Sequence, residues 1–235
     1  MKNIIDEKPS RNLQGRLLFS SHFVSDSDIK AKDVLDIGCG YGWFEIDSVK
    51  KGVKSMTGIE LTENDLNTAL KHVNYDNVNF RVGSAINLPF EDEMFDTVVS
   101  WEVLEHIPKL TENKMFSEVY RVLKPGGRFY LSTPYRNFWS NLFDPAYWLI
   151  GHRHYSKDKV CQFALQAGFS VKNMALRGGF WEIIAINNLY IAKWLFRRKP
   201  FFEEYIQNKL NVEYAMERGI TNIFMEIEKG TINET

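Results

Sequence analysis

Apolar, strand-like runs alternate with amphipathic segments through most of the chain. Runs near residues 33–38, 55–60, 78–82, 95–101, 127–133, 170–177 and 221–228 are rich in Val, Ile, Phe and Leu and read as strands. Between them, residues 63–73 and 112–123 have helical spacing, the second with Met115, Phe116, Val119, Val122 and Leu123 along one face. Lys124-Pro125-Gly126-Gly127 is expected to stop that helix. Strands that alternate with helices predict an α/β domain with helices flanking a parallel sheet. No repeat or composition shift marks a second domain. The expected organisation is one domain, with an N-terminal helical cap over 1–32 and a ligand-binding core over 33–179. A helical insert or lid over 180–218 and a closing strand over 219–230 complete it.

The most informative stretch is 34–44, VLDIGCGYGWF, where an apolar run ends in Asp36 and breaks into Gly38, Gly40 and Gly42. Such a break reads as a buried strand entering a turn that only glycine makes, bringing bare backbone to a nucleotide-like ligand. The dinucleotide fingerprint G-x-G-x-x-G needs its third glycine at position 43, where Trp43 stands, which argues against a nicotinamide dehydrogenase. Glu60 closes the second strand about twenty residues after the loop, the interval at which nucleotide folds place an acid on ribose hydroxyls. Alone, it would read equally as a solvated surface glutamate.

The order D-x-G-x-G-x-G after a strand resembles the first motif of the class I S-adenosylmethionine-dependent methyltransferases, in particular the type 11 small-molecule enzymes. Residues 82–108, VGSAINLPFEDEMFDTVVSWEVLEHIP, are similar to that family's G-D-A-x-x-L-P-F, F-D-x-V and L-E-H signatures. The resemblance implies a Rossmann-like, seven-stranded, mostly parallel sheet with its last strand antiparallel. It implies S-adenosyl-L-methionine as cofactor, with Asp36, Gly38 and Gly40 against its methionine part and Glu60 on the ribose. Ser84 and Ala85 would lie at the adenine and Trp101 beneath the sulfonium. Ser84 departs from the pattern, because a hydroxyl replaces the usual carboxylate and makes a neutral contact where the family has a charge-assisted one.

Methyl transfer asks for alignment and exclusion of water more than for acid–base groups. His106 and His154 are the candidate catalytic residues, as a base helps where the acceptor is a hydroxyl; each also reads as a structural histidine. His152 shares the segment GHRHYSKDKV with His154, and Ser156 there is a plausible helix N-cap. STPY at 132–135 has one proline too few, and follows the wrong strand, for the motif of amino methyltransferases that act on bases.

Composition narrows the partners. The 29 Lys and Arg nearly balance 30 Asp and Glu, which argues against a broad electrostatic grip on nucleic acid. Cys39 and Cys161 carry no disulfide framework or metal-ligand spacing, and no metal is expected. The N-terminus lacks an apolar h-region, so a cytoplasmic protein is expected. Residues 183–202, IIAINNLYIAKWLFRRKPFF, are apolar at helical spacing and end in a basic cluster, but polar interruptions make them unfit to span a bilayer. They read as a lid packed on the domain or as a peripheral membrane contact. Either way, nearby Trp139, Phe143, Tyr147, Trp148, Trp181 and Trp194 point to a bulky or apolar acceptor. The family resemblance implies a small-molecule, lipid-like or sugar-containing acceptor, methylated at oxygen or carbon. Two alternatives stand beside the methyltransferase: a non-catalytic S-adenosylmethionine-binding protein, and an aminopropyltransferase, which would be expected to present acidic residues around a diamine pocket where this chain offers aromatic and basic ones.

Overall fold

The computed structural model describes residues 8–149 and 151–231. The elements run α1 (Gly15–Phe23), β1 (Asp33–Ile37), α2 (Trp43–Lys50), β2 (Ser55–Glu60), α3 (Glu63–His72), β3 (Val78–Val82) and β4 (Phe95–Trp101). They continue through α4 (Glu112–Val122), β5 (Leu123–Pro134), α5 (Phe138–Phe143), α6 (Pro145–Leu149), α7 (Lys157–Gln166) and β6 (Phe169–Arg177). The chain closes with α8 (Phe180–Tyr190), α9 (Glu203–Ala215) and β7 (Asn222–Lys229). Residues 1–7 of the expected N-terminal cap lie outside the described residues.

The seven strands form one sheet in the order β3-β2-β1-β4-β5-β7-β6. β1 pairs parallel with β2 and β4, and β7 runs antiparallel to both β5 and β6. The last strand is therefore antiparallel, as expected. Strand order reverses between β1 and β4, which opens a crevice at their carboxyl ends, where ligands bind in open α/β sheets. Ile37 stands in register with both Ile59 and Ser100, so the ends of β1, β2 and β4 converge there.

The two-residue period of the strands divides the core. Leu35, Ile37, Val98, Phe129 and Leu131 face one side, where Phe116 of α4 and Val160 and Phe163 of α7 cover them. Val34, Val99 and Tyr130 face the other, against Phe44 of α2. Because both faces are covered, the central strands read as near-continuous apolar runs. A third cluster joins Ile206, Leu210 and Tyr214 of α9 to Phe224 of β7, with Phe19 and Phe23 of α1 packed against it. It anchors α1 beside the crevice.

Two expectations are revised. β5 starts at Leu123 rather than near 127, because Leu123 pairs with Phe95 before a register shift brings Arg128 opposite Thr97. Lys124 to Gly127 is a bulged entry to the strand rather than a separate turn. Residues 183–202 are not one helix: α8 continues as a π-helical turn over Ile191–Leu195 and then leaves helical geometry. α5 and α6, at six and five residues, are too short to give a periodic signal. Among the described residues no helix is long and apolar enough to cross a membrane.

Candidate active-site cleft

β1 ends at Ile37 and the chain turns through Gly38, Gly40 and Gly42 at φ of +77°, +56° and +86°. Only glycine adopts three such positions in five residues without strain. The three have different surroundings. A Cβ on Gly38 would collide with Val103, and one on Gly42 would come within 2.5 Å of Val73, whereas one on Gly40 meets no atom of the described residues within 4 Å. The outer glycines allow close packing, and the middle one faces open space.

The loop is tied to the end of β2. The Gly38 and Cys39 amides donate to the Ile59 carbonyl at 2.9 and 3.1 Å, and the Gly40 amide donates to Glu60 Oε1 at 2.8 Å. Burial raises the Glu60 carboxyl above its usual value, partly offset by that amide bond. The loop and Glu60 line a cleft of about 320 Å³, shared with Trp101 at the end of β4, Glu102 after it, Ser132 of β5, Asp65 of α3, and Arg16, Leu17 and Ser20 of α1. A larger groove of about 650 Å³ lies between α1 and β6 and shares none of these residues.

Trp101 packs against Trp43, Phe44 and Phe224, and its indole Nε1 is buried without a hydrogen-bond partner among the described residues. Glu102 adopts a left-handed backbone at φ +56°, a strained conformation for a non-glycine residue. Its carboxylate accepts from Ser132 Oγ at 2.5 Å and from Arg16 Nη1 at 3.0 Å. Arg16 Nη1 also stands 3.7 Å from Glu182 Oε1 of α8. Burial opposes the Arg16 charge, but Glu102 and Glu182 outweigh it and hold the guanidinium firmly protonated. Glu105, buried and accepting from Thr133 Oγ1 at 3.1 Å, is driven well above the carboxylate range by burial and by Glu102.

The sequence candidates separate here. Gly38, Gly40, Glu60 and Trp101 meet in the cleft lining, whereas Asp36, Ser84, Ala85, His106 and His154 lie outside it. The Asp36 side chain is buried next to Glu45, and neither carboxyl has a hydrogen-bond partner among the described residues. Burial, with Glu45 and Glu60 adding, pushes Asp36 well up; burial and Glu60 push Glu45 up to about 8. Ser84 Oγ accepts from the Ile86 amide at 3.4 Å, in the turn whose Gly83 amide is bonded to the Glu60 carbonyl. Ala85 packs on the core.

His154 is buried, with Nδ1 at 2.8 Å from Asn141 Oδ1 and Nε2 at 2.8 Å from Asp144 Oδ2. Both ring nitrogens are engaged, so it braces the segment between α6 and α7. Ser156 caps α7 as expected, accepting from the Lys159 amide at 3.3 Å. His106 is only partly covered, its Nε2 3.1 Å from His152 Nε2, and that partial burial with the His152 and Arg153 charges lowers it to about 4. Arg153 donates to the Leu104 and Ile107 carbonyls at 2.8 and 2.6 Å, fastening this segment to the loop after β4. Nothing in the sequence marked Arg16, Glu182 or Arg153. Each acts on a partner remote in the chain, which no local pattern signals.

Residues 35–131 match a family model described as a methyltransferase domain. Over 117 residues the chain is 32% identical to a ubiquinone biosynthesis O-methyltransferase of Coxiella burnetii, covering 49% of each protein. Over 215 residues it is 29% identical to a chloroplastic tocopherol O-methyltransferase of Arabidopsis thaliana, covering 87% of this chain and 58% of that one. The chain thus spans about half the length of these curated relatives. A solved S-adenosylmethionine-dependent methyltransferase of Mesorhizobium loti superposes with a TM-score of 0.61 at 15% identity, over 89% of this chain and 95% of that one, a likeness of fold.

Proposed function

Because residues 35–131 belong to the methyltransferase-domain family, we propose that the protein is an S-adenosylmethionine-dependent methyltransferase acting on a small-molecule acceptor. The acceptor is lipid-like or sugar-containing and is methylated at oxygen or carbon. The observation that carries this reading is the pairing of Gly40 with Glu60 at the edge of open space. One Glu60 oxygen is occupied by the loop amide, and the residue lines the cleft, where its carboxylate would accept from ribose hydroxyls.

The residues present fit the cofactor. Gly40 leaves room for backbone approach, Glu60 offers acceptors to hydroxyls, and Trp101 supplies a flat wall with an unpartnered indole N–H. Bound there, the cofactor supplies an activated methyl group together with its own leaving group. The chain supplies orientation and exclusion of water. Arg16, held by Glu102 and Glu182, keeps α1 over the cleft as one of its walls. Asp36 acts from beneath the loop, and the Gly83–Ala85 turn, tied to Glu60, flanks the adenine end. His106, on the loop after β4 and beyond the cleft lining, is the candidate proton acceptor for a hydroxyl that extends out of the cleft; its ring is neutral and free to accept, though burial and neighbouring charge make it a weak base. His154 is a positioning residue.

The two named relatives concern ubiquinone and tocopherol, both lipid-soluble, and support an O-methylated lipid-like acceptor here. The test is incubation with methyl-labelled cofactor and separated lipid, water-soluble and nucleic-acid fractions of a cell extract. Label is expected in the lipid or other low-mass fraction; label in nucleic acid alone refutes the acceptor class. Cofactor binding without S-adenosylhomocysteine release refutes catalysis. The acidic side chains of the lining, Glu60, Asp65 and Glu102, favour one second reading, an amine-bearing acceptor, which label in a water-soluble amine would select.

A further inference from the structure

Beside the cleft, the molecule presents a group of exposed apolar side chains. β5 and β6 both end at the carboxyl edge of the sheet, and each is followed there by helices rich in aromatic residues, α5 and α6 after β5 and α8 after β6. Trp148 is 65% exposed, Trp194 59%, Leu195 75% and Phe202 81%, and Phe138, Trp139, Phe143 and Phe196 are exposed with them. Single exposed apolar side chains are ordinary, whereas a contiguous group marks an interaction site.

The group is contiguous. Asn187 Nδ2 donates to the Phe143 carbonyl at 2.8 Å, joining α8 to α5, and both α5 and α6 pack on α8. Asn188 grips Phe201 through both backbone groups, at 2.6 and 3.1 Å, which folds the turn after the π-helix back onto α8. Arg197 and Phe202 in that turn hold left-handed backbones at φ +48° and +51°, strain that persists only where the surroundings enforce it.

We propose that this surface docks on an anionic lipid membrane, with the cleft at its border receiving an acceptor dissolved in that membrane. The proposal deepens the lipid-like acceptor reading and rests on it. Charge selects the occupant: Arg197, Arg198 and Lys199 are consecutive and exposed or half-exposed amid Trp194, Leu195, Phe196 and Phe202. Cations among exposed aromatic and aliphatic side chains are the composition of an interfacial segment on anionic lipid. Tryptophan, apolar in body and polar at its N–H, favours the same depth. Glu203 and Glu204 follow at the start of α9 and offset part of the charge, so aromatic insertion is the main attachment and the cations tune it.

The test is sedimentation of the full chain with vesicles of phosphatidylcholine alone or with roughly one-third phosphatidylglycerol. The wild type is expected to pellet with the anionic vesicles, and weakly with the neutral ones. Trp148→Ser with Trp194→Ser is expected to lower the bound fraction by about fivefold. Arg197→Gln with Arg198→Gln and Lys199→Gln is expected to lower it about threefold and remove its salt dependence. Circular dichroism and S-adenosylhomocysteine binding check that each variant is folded, since none of these residues lines the cleft. Wild-type protein left in the supernatant with both vesicle types overturns the proposal. So does pelleting that none of the substitutions changes, or a dimer in solution that buries these tryptophans. Vesicle binding is read without cofactor or acceptor, so failure here leaves the methyltransferase reading intact. Failure of that reading shows instead as absent S-adenosylhomocysteine binding.

Discussion

Arg16 of α1 reaches Glu102 after β4 with Nη1 to Oε2 at 3.0 Å, joining residues 86 positions apart in the chain. The same nitrogen lies 3.7 Å from Glu182, so one cation ties α1 and α8 to the strained residue at the end of β4. The contact closes one side of the cleft while it neutralises carboxyl groups gathered there.

Removing that cation leaves the Glu102 and Glu182 carboxyls facing each other with little water. A fully buried broken pair costs about 3–5 kcal/mol, and the Arg16 side chain is one-third exposed, so Arg16→Ala is expected to cost about 1–3 kcal/mol. Denaturant unfolding reads the loss. Adding Glu102→Gln to Arg16→Ala is expected to recover part of it, and a double variant as unstable as the sum of the two singles contradicts the pairing.

Glu45 makes stability depend on pH in an unusual direction. Its carboxyl is pushed from 4.5 to about 8 in the folded protein, so between those values the native state holds a proton that the unfolded chain has lost. This contribution is present below about pH 4.5 and is lost as pH rises through about 8. Unfolding free energy measured from pH 5 to 8.5 is therefore expected to decline, and Glu45→Gln is expected to flatten the decline and add about 1–3 kcal/mol at pH 8. A Glu45→Gln profile parallel to the wild type contradicts this.

The two histidine candidates are expected to behave in opposite ways. His154→Ala strips partners from Asn141 and Asp144 and is expected to cost about 2–3 kcal/mol of stability. His106→Ala removes an exposed ring and is expected to change stability by less than about 0.5 kcal/mol while lowering kcat for a hydroxyl acceptor roughly a hundredfold. Thermal unfolding beside steady-state rates with the identified acceptor separates them. Full activity in His106→Ala removes its role as proton acceptor.

The glycine loop and Glu60 were legible because their requirements are local. Left-handed backbone at 38, 40 and 42 demands glycine, and the acid follows at the end of the next strand. The central strands were legible because burial on both faces leaves little but apolar residues. Asp36 lies outside the cleft lining because the motif identifies the residue without saying which way its side chain points, and here it is buried against Glu45. Arg16 escaped notice because its partners lie 86 and 166 positions away. The aromatic residues of 138–149 were seen, but not that two very short helices hold them beside α8.

The account turns on whether the space above Gly40 and beside Glu60 is where a sulfur nucleoside sits. Calorimetric titration of S-adenosylhomocysteine into the wild type and into Gly40→Ala tests it most directly. A Cβ at Gly40 touches no atom of the described residues, so the variant is expected to fold with a backbone penalty of about 1 kcal/mol while affinity falls at least about tenfold. Unchanged affinity in a folded Gly40→Ala protein, or no binding by the wild type, contradicts the account.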